Sequence, residues 1–324
     1  MLNALQGKLA DRLKIILLSV AAIIIIALFI GQGLNADNYS FFLSLRVPKI
    51  LAIVLAAIAI SVSSLVFQTI TNNRILTPSI LGFDSLYVMI QVIIVVTFGS
   101  MSMWFSDPIV NFLLSTLIMI GFSLLLFGLY FKRKNSNVFT LLLIGIVCGS
   151  LFSSVTSFFT MLIDPNEFAV LQNSMFASFN NVNSDLVYWS IIPLAICFLY
   201  LYRISNTLDV LWLGADNAKS LGVDTQKLTI RVMLVLTIMI AVSTALVGPV
   251  LFFGLIVVSL TREMFNRYQH RFLMLACSLL SVVLLVGGQF LIEKVFSFDT
   301  TISVIINFAG GSYFLYLLMR NKLN

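Results

Sequence analysis

Residues 228–262 read LTIRVMLVLTIMIAVSTALVGPVLFFGLIVVSLTR. The run is almost unbroken in its apolarity and too long for one ordinary crossing helix, which needs about 20 residues to span the hydrocarbon core. Gly248-Pro249 sits inside it. Proline removes a backbone donor and glycine permits a turn, so the pair divides the run. Two spans result, 228–247 and 250–262. The second is short for a crossing, which suggests a half-buried or partly re-entrant helix supported by its neighbours.

The rest of the chain follows the same logic. Of its 324 residues 60% are hydrophobic and only 10% charged, against about 25% charged in soluble domains. This is the composition of a membrane protein. Eight further apolar runs join the two above, at 15–32, 48–70, 83–103, 108–131, 138–162, 186–203, 272–291 and 301–319. The first follows Lys8, Arg12 and Lys14 in the manner of a signal peptide, but no small-residue cleavage site comes after it, so it reads as a retained helix. The expectation is an all-α polytopic protein of about ten transmembrane helices, a single membrane domain over 1–324 with both termini cytoplasmic. With that topology the inner side collects 16 of the 19 Lys and Arg residues, and the outer side keeps Arg46, Lys49 and Lys294. Such a bias is the positive-inside rule. The net charge of +6 therefore needs no nucleic acid to explain it.

Several chemistries are missing. Cys148, Cys197 and Cys277 each sit in an apolar run, with neither metal-ligand nor disulfide spacing, and read as small buried hydrophobes. The single His270 lies in a basic loop and suggests no catalytic or metal role. No Asp, Glu, Lys or Arg falls near the centre of a span, where an ion-coupled transporter usually needs one. The polar residues inside spans are Gln68, Gln91, Asn111 and Asn307 with scattered Ser and Thr. They read as interhelical hydrogen-bonding groups or as the lining of a polar pathway. Gly145 and Gly149 make a GxxxG, which permits close helix approach. No GxxxxGK[ST] phosphate loop is present. Active transport would draw its energy from a partner, and no cofactor or metal is expected on this chain.

Between two spans on the cytoplasmic side lies NTLDVLWLGADNAKSLGVDTQK, residues 206–227. It reads as a short amphipathic helix with Leu213, Ala218 and Leu221 on one side and Asp216, Asn217 and Lys219 on the other. A simple turn uses far fewer residues, so the segment suggests a docking element.

Four stretches and the closing segment resemble the permease subunits of bacterial ATP-binding-cassette importers for iron–siderophore complexes, haem and cobalamin. Leu45-Arg46-Val47-Pro48-Lys49 is similar to the family's Arg-Leu-Pro-Arg at the outer start of the second helix. Arg74, Pro78 and Gly82 stand in the family's Arg-Asn-Pro-Leu-Ala-x-Pro-x-Leu-Gly turn, which reads as structural. Gly214, Ala215, Asp216, Asn217, Ala218, Lys219, Ser220, Leu221 and Gly222 match the family's coupling element, with the two glycines bounding a helix and Gly222 as its C-cap. Phe252, Gly254, Leu255 and Arg262 fit the motif around the eighth span, where Val258-Ser259 replaces Pro-His. The missing Pro-His and the ending TTISVIINFAGGSYF, with Ser312 for Pro, resemble the catecholate-siderophore permeases of Gram-positive bacteria more than the cobalamin ones.

The resemblance implies a type II importer permease in the bacterial cytoplasmic membrane. It implies pairing with a second permease, identical or homologous, above cytoplasmic ABC ATPase subunits that use the ATP. An extracytoplasmic siderophore-binding protein would dock on Arg46, Lys49 and Lys294. The 214–222 element would couple to the ATPase, and the fifth and tenth spans would form the pathway, with Ser153, Ser157, Thr160, Ser303 and Asn307 as candidates. A haem or cobalamin permease of the same family, or an ion-coupled secondary transporter, is the alternative.

Overall fold

The computed structural model describes residues 2–32, 39–131, 138–180, 182–294 and 301–321. Of the cationic residues sorted above, Lys132, Arg133, Lys134 and Lys322, and the side chains of Lys8 and Arg320, lie outside the described residues. Among those described the fold is entirely helical. The helices are α1 (Leu2–Gly31), α2 (Tyr39–Thr71), a 3-10 turn (Pro78–Leu81), α3 (Phe83–Phe98), α4 (Met103–Ser106), α5 (Pro108–Phe131), α6 (Val138–Thr160) and α7 (Pro165–Met175). The second half holds α8 (Ser184–Arg203), α9 (Ser205–Leu211), α10 (Ala215–Ser220), α11 (Thr225–Val247), α12 (Phe253–Met264), α13 (His270–Lys294) and α14 (Ile302–Asn321). Seven described helices are long and apolar enough to cross a membrane, and α3 and α14 are shorter apolar helices.

The centre of the bundle is α2. Its 33 residues extend about 50 Å at 1.5 Å per residue. From Ala52 to Gln68 most of its side chains are buried, and many are small: Ala52, Ala56, Ala57, Ala59, Ser61, Ser63 and Ser64. Small residues let neighbouring backbones come close where lipid gives no hydrophobic drive between helices. α8, α11, α12 and α13 pack around α2. α1 lies outside them against α13, with Leu13, Ile16, Leu17, Ile23 and Leu28 exposed as a lipid-facing surface.

The long apolar run divides where the sequence suggests. α11 ends at Val247, residues 248–252 are non-helical, and α12 takes up again at Phe253. Gly248 has φ +91° and its α-carbon is so close to the 176–180 segment that a Cβ there would lie 2.9 Å from the Ala177 α-carbon. The break is buried in protein: Ser178 N–H donates to Val247 O at 2.9 Å, and Ser303 Oγ donates to Ala177 O at 3.3 Å. Irregular backbone is tolerated at membrane depth under that condition.

Gly145 and Gly149 do permit a close approach, though to a turn. A Cβ on Gly145 would lie 2.8 Å from the Leu81 α-carbon, and Gly149 faces Gly82. Gly145→Leu therefore pushes α6 off the 3-10 turn, because backbone cannot step aside. Overpacking of this kind costs about 1–3 kcal/mol, and a fall of several degrees in the melting temperature of the purified protein is expected. Gly121→Leu on α5, where nothing lies within 4 Å, should leave it unchanged.

Four expectations are corrected. The second helix starts at Tyr39, not near 48, so Arg46, Pro48 and Lys49 lie inside it. Pro48 is the tenth residue of that helix, so it leaves the carbonyl of Ser44 without its helical donor and its ring crowds that carbonyl. The third span ends at Phe98 and is followed by the one-turn α4, because Gly99 adopts φ +80° and stops the helix. The stretch between the fifth and sixth spans, 163–185, expected as a loop, contains α7, capped by Asp164, whose side chain accepts from Asn166 N–H. His270 is not in a loop but is the first residue of α13 and is buried.

Candidate functional site

The bundle has two chemically distinct ends. One collects the C-terminus of α2, the start of α13 and the hairpin formed by α9 and α10. The other collects the start of α2 and the ends of α1 and α13.

The hairpin is built by local rules. α9 runs straight on from α8 with a break at Ile204, and α10 follows after Gly214 at φ +102°. Asn217 Nδ2 donates back to Leu213 O at 2.7 Å, closing the turn that enters α10. Gly222 stands one position past the cap, with φ +86°, and the cap residue itself is Leu221. Gly222 N–H donates to Lys219 O and Val223 N–H to Ala218 O, the paired bonds of a Schellman ending. Asp224 then caps α11 through Lys227 N–H. That bond and the Lys227 ammonium hold the Asp224 carboxyl below its usual range.

The apolar side chains of the element do not share one surface. Ala218 is fully buried, whereas Leu213 and Leu221 are 59% and 65% exposed. The reason is length: α10 has only six residues and lacks a complete amphipathic stripe. Asp216 and Lys219 make an exposed ion pair at 3.8 Å, of little energetic weight in water. The hairpin thus presents two leucines beside two charges.

Sequence reasoning passed over the residues that fasten this hairpin to the bundle. Asp209 on α9 accepts from His270 N–H at 2.7 Å and bonds the ring Nδ1 at 2.6 Å. The ring Nε2 bonds Thr69 Oγ1 of α2 at 2.7 Å. Arg271 Nε donates to Ser205 Oγ at 3.0 Å. Trp212, at the end of α9, lies under Arg262 of α12, 4.3 Å from guanidinium carbon to ring centroid, with Arg74 at 5.7 Å. The available signal was a lone histidine at the start of a span, in a chain with no other. A movement of α9 has direct hydrogen-bonded routes into α2 and α13.

At the opposite end, Arg46 Nη1 donates to Ile30 O at 2.7 Å and Gln32 O at 2.6 Å, capping α1, and stacks over Phe42. Lys49 is ion-paired to Glu293 of α13 and donates to Asn180 Oδ1 at 3.0 Å. Gln289 Nε2 bonds both Glu293 and Asn180. Lys294 is exposed beside them. The three outward cations share one end, but Arg46 and Lys49 have partners within the chain.

The pathway candidates do not converge within one chain. Ser153 and Ser157 are exposed on α6, where Ser153 Oγ donates to Ser85 Oγ at 3.2 Å and Ser157 Oγ to Ser153 O. Thr160 bonds its own helix at Thr156 O. On α14, Ser303 is buried, and Asn307 is half-buried with no hydrogen-bond partner for Oδ1. α6 packs on α3 and α14 on α12 and α13. Both leave apolar faces uncovered, with Val147, Leu151 and Phe158 on one and Phe308 and Leu315 on the other.

A short hairpin at one end and the network of Arg46, Lys49 and Glu293 at the other are joined by α2 and α13. Comparison gives the family. The family profile described as the FecCD transport family matches residues 13–320. The chain belongs to the FecCD transport family. It is 51% identical over 312 residues to the petrobactin import system permease protein YclO of Bacillus subtilis (strain 168), covering 96% of this chain and 98% of that protein. It is 35% identical to the petrobactin import system permease protein FatC of Bacillus anthracis, over 97% and 91% of the two chains. A solved inward-facing ABC transporter, described as metal-chelate type, superposes with a TM-score of 0.82 at 22% identity, over 95% of this chain and 99% of that one. That likeness establishes the fold. As a FecCD protein the chain is a multi-pass membrane transport component, not an enzyme.

Proposed function

We propose that this chain is the permease subunit of an ATP-driven importer that carries an iron–siderophore complex of the catecholate type into the bacterial cytoplasm. The observation that carries the substrate class is the identity of 51%, sustained over nearly the full length of both chains, with a petrobactin permease. Petrobactin is a catecholate-type siderophore.

The architecture that goes with this reading has ten membrane helices and both termini in the cytoplasm, in one membrane domain over 1–324. The seven long spans supply most of it, and α3, α12 and α14 supply the rest. The placement of α9, α10 and the flanking cations on one side supports the orientation. The chain pairs with a second permease through the uncovered faces of α6 and α14. Ser153, Ser157, Thr160, Ser303 and Asn307 then contribute to a pathway completed by the second chain. An extracytoplasmic siderophore-binding protein docks over Arg46, Lys49 and Lys294.

Cytoplasmic ATPase subunits receive the 214–222 element, with Leu213 and Leu221 entering an apolar cleft. ATP is used by those subunits. Their motion tilts the hairpin, and Asp209, His270 and Thr69 pass the displacement to α13 and α2. Access then alternates between the two sides of the membrane.

Radiolabelled ferric petrobactin given to an iron-starved strain with and without this gene tests the reading. Uptake should fall at least tenfold on deletion and return with the gene on a plasmid, while ferric hydroxamate uptake stays level. Equal loss of both chelates, or of neither, contradicts the assigned substrate.

A further inference from the structure

At the hairpin end a cavity of about 100 Å³ lies between the base of α9, the end of α12 and the start of α13. That is the room of roughly three waters at ~30 Å³ each. Arg74, Trp212, Arg262, Phe265, Arg267 and Tyr268 line it. Three arginines thus border one small space: the guanidinium groups of Arg262 and Arg74 lie over the ring of Trp212, and that of Arg267 lies over Phe272.

Part of the hydrogen-bonding capacity of Arg262 and Arg267 is not used. Nε and Nη2 of Arg262 and Nε of Arg267 are buried without an acceptor among the described residues. Asp11, whose side chain is almost fully buried, forms an ion pair with Arg267 at 3.7 Å, too long for a hydrogen bond, and offsets one of the three positive charges. Asp209 is engaged by His270, and Glu263 on α12 is exposed. Buried donors in folded proteins are nearly always satisfied, and those that are not point to an absent water, ion or ligand. A cluster of planar forks that carries more positive than negative charge calls for an anion with several acceptor oxygens.

We propose that this cavity is a binding site for a phosphate group. Its inner edge is fixed by Arg262 and Arg267, and Arg74 closes it from the exposed side. Two sources carry that chemistry, an anionic phospholipid headgroup and free phosphate. The rim suits the first: Tyr268, on the lining with Trp212, is 80% exposed, and basic pockets between helices on the cytoplasmic side accept anionic headgroups. The cytoplasmic placement rests on the orientation proposed above; the arginine cluster does not. A bound phosphate would screen Arg74 from Arg262 and hold Trp212, and with it the base of the coupling hairpin.

The test uses the full chain in a neutral detergent with Trp104→Phe and Trp189→Phe, so that Trp212 is the one remaining indole. Its fluorescence is titrated with inorganic phosphate, short-chain phosphatidylglycerol and short-chain phosphatidylcholine. A saturable change with phosphatidylglycerol and none with phosphatidylcholine is expected. Tighter binding of phosphatidylglycerol than of phosphate assigns the headgroup as source, and the reverse assigns free phosphate. Arg262→Gln should weaken binding about tenfold or more, the effect of losing a charge-assisted hydrogen bond. Arg74→Gln, at an exposed position, should weaken it without threatening the fold, and the melting temperature of each variant separates lost binding from lost structure.

No saturable response to either anion, an equal response to phosphatidylcholine, or binding unchanged in both variants would overturn the site. So would a Trp212 response produced only by adding the partner ATPase, which would assign the arginines to a protein carboxylate. The measurement reads no transport, so it stands or falls apart from the uptake experiment.

Discussion

Replacing residues 216–221 with a Gly/Ser linker leaves the chain inserted in the membrane and releases its ATPase. The element makes little contact with the bundle apart from Ala218, which is fully buried, so its removal costs the fold little. What it presents outward is Leu213 and Leu221, two exposed apolar side chains whose removal from water at an interface is favourable. Full burial of a leucine stabilises by about 1.5–3 kcal/mol. Leu213→Asp with Leu221→Asp removes both contributions and places charges in the cleft. Co-purification of the ATPase with the tagged permease should therefore fall at least a hundredfold, with uptake lost in parallel. The permease should still appear in the membrane fraction at its normal level. If the ATPase stays bound to the linker variant, the coupling assignment is wrong.

The same hairpin marks how far the sequence could be read. Its position and its Gly222 ending were visible, because a left-handed residue after a short helix almost demands glycine. The break at Gly248 was equally plain, since Pro249 beside it is the single proline in an apolar run of that length. What could not be read were contacts between residues distant in sequence. Asp209 and His270 are 61 positions apart, and Thr69 is 201 from His270, so nothing local announces that they meet. Arg74 and Arg262 each match a family motif, yet only the fold places both on Trp212. Exposure was harder still. Leu213 and Ala218 share an apolar character in the sequence, but a six-residue helix is too short for that pattern to define a face. At the outer end the positive-inside rule picked out Arg46 and Lys49 as unusual, and it carries no information on what pairs with them.

Lys49→Glu should be the most damaging single change at that outer end. Lys49 and Glu293 keep only 16% and 15% of their side chains exposed, so their attraction is less screened than at a surface. Breaking such a pair by losing one partner costs about 3–5 kcal/mol in a fully buried setting, and a discount for the remaining exposure leaves about 2–3 kcal/mol. The reversal goes further, because it sets two carboxylates against each other beside Gln289 and Asn180. Membrane levels of the Lys49→Glu protein should drop severalfold, and Glu293→Lys alone should do the same by crowding Lys49 and Lys294. The double exchange, Lys49→Glu with Glu293→Lys, restores an ion pair between α2 and α13 and should return the protein to near its normal level. With the binding protein docked over Lys49 as proposed above, its uptake should nevertheless stay low, since the exchange moves that cation from α2 to α13. Recovery of both level and uptake in the double variant would make Lys49 a purely structural residue and leave docking to Arg46 and Lys294. Failure to recover either would show that the pair does not hold the two helices together.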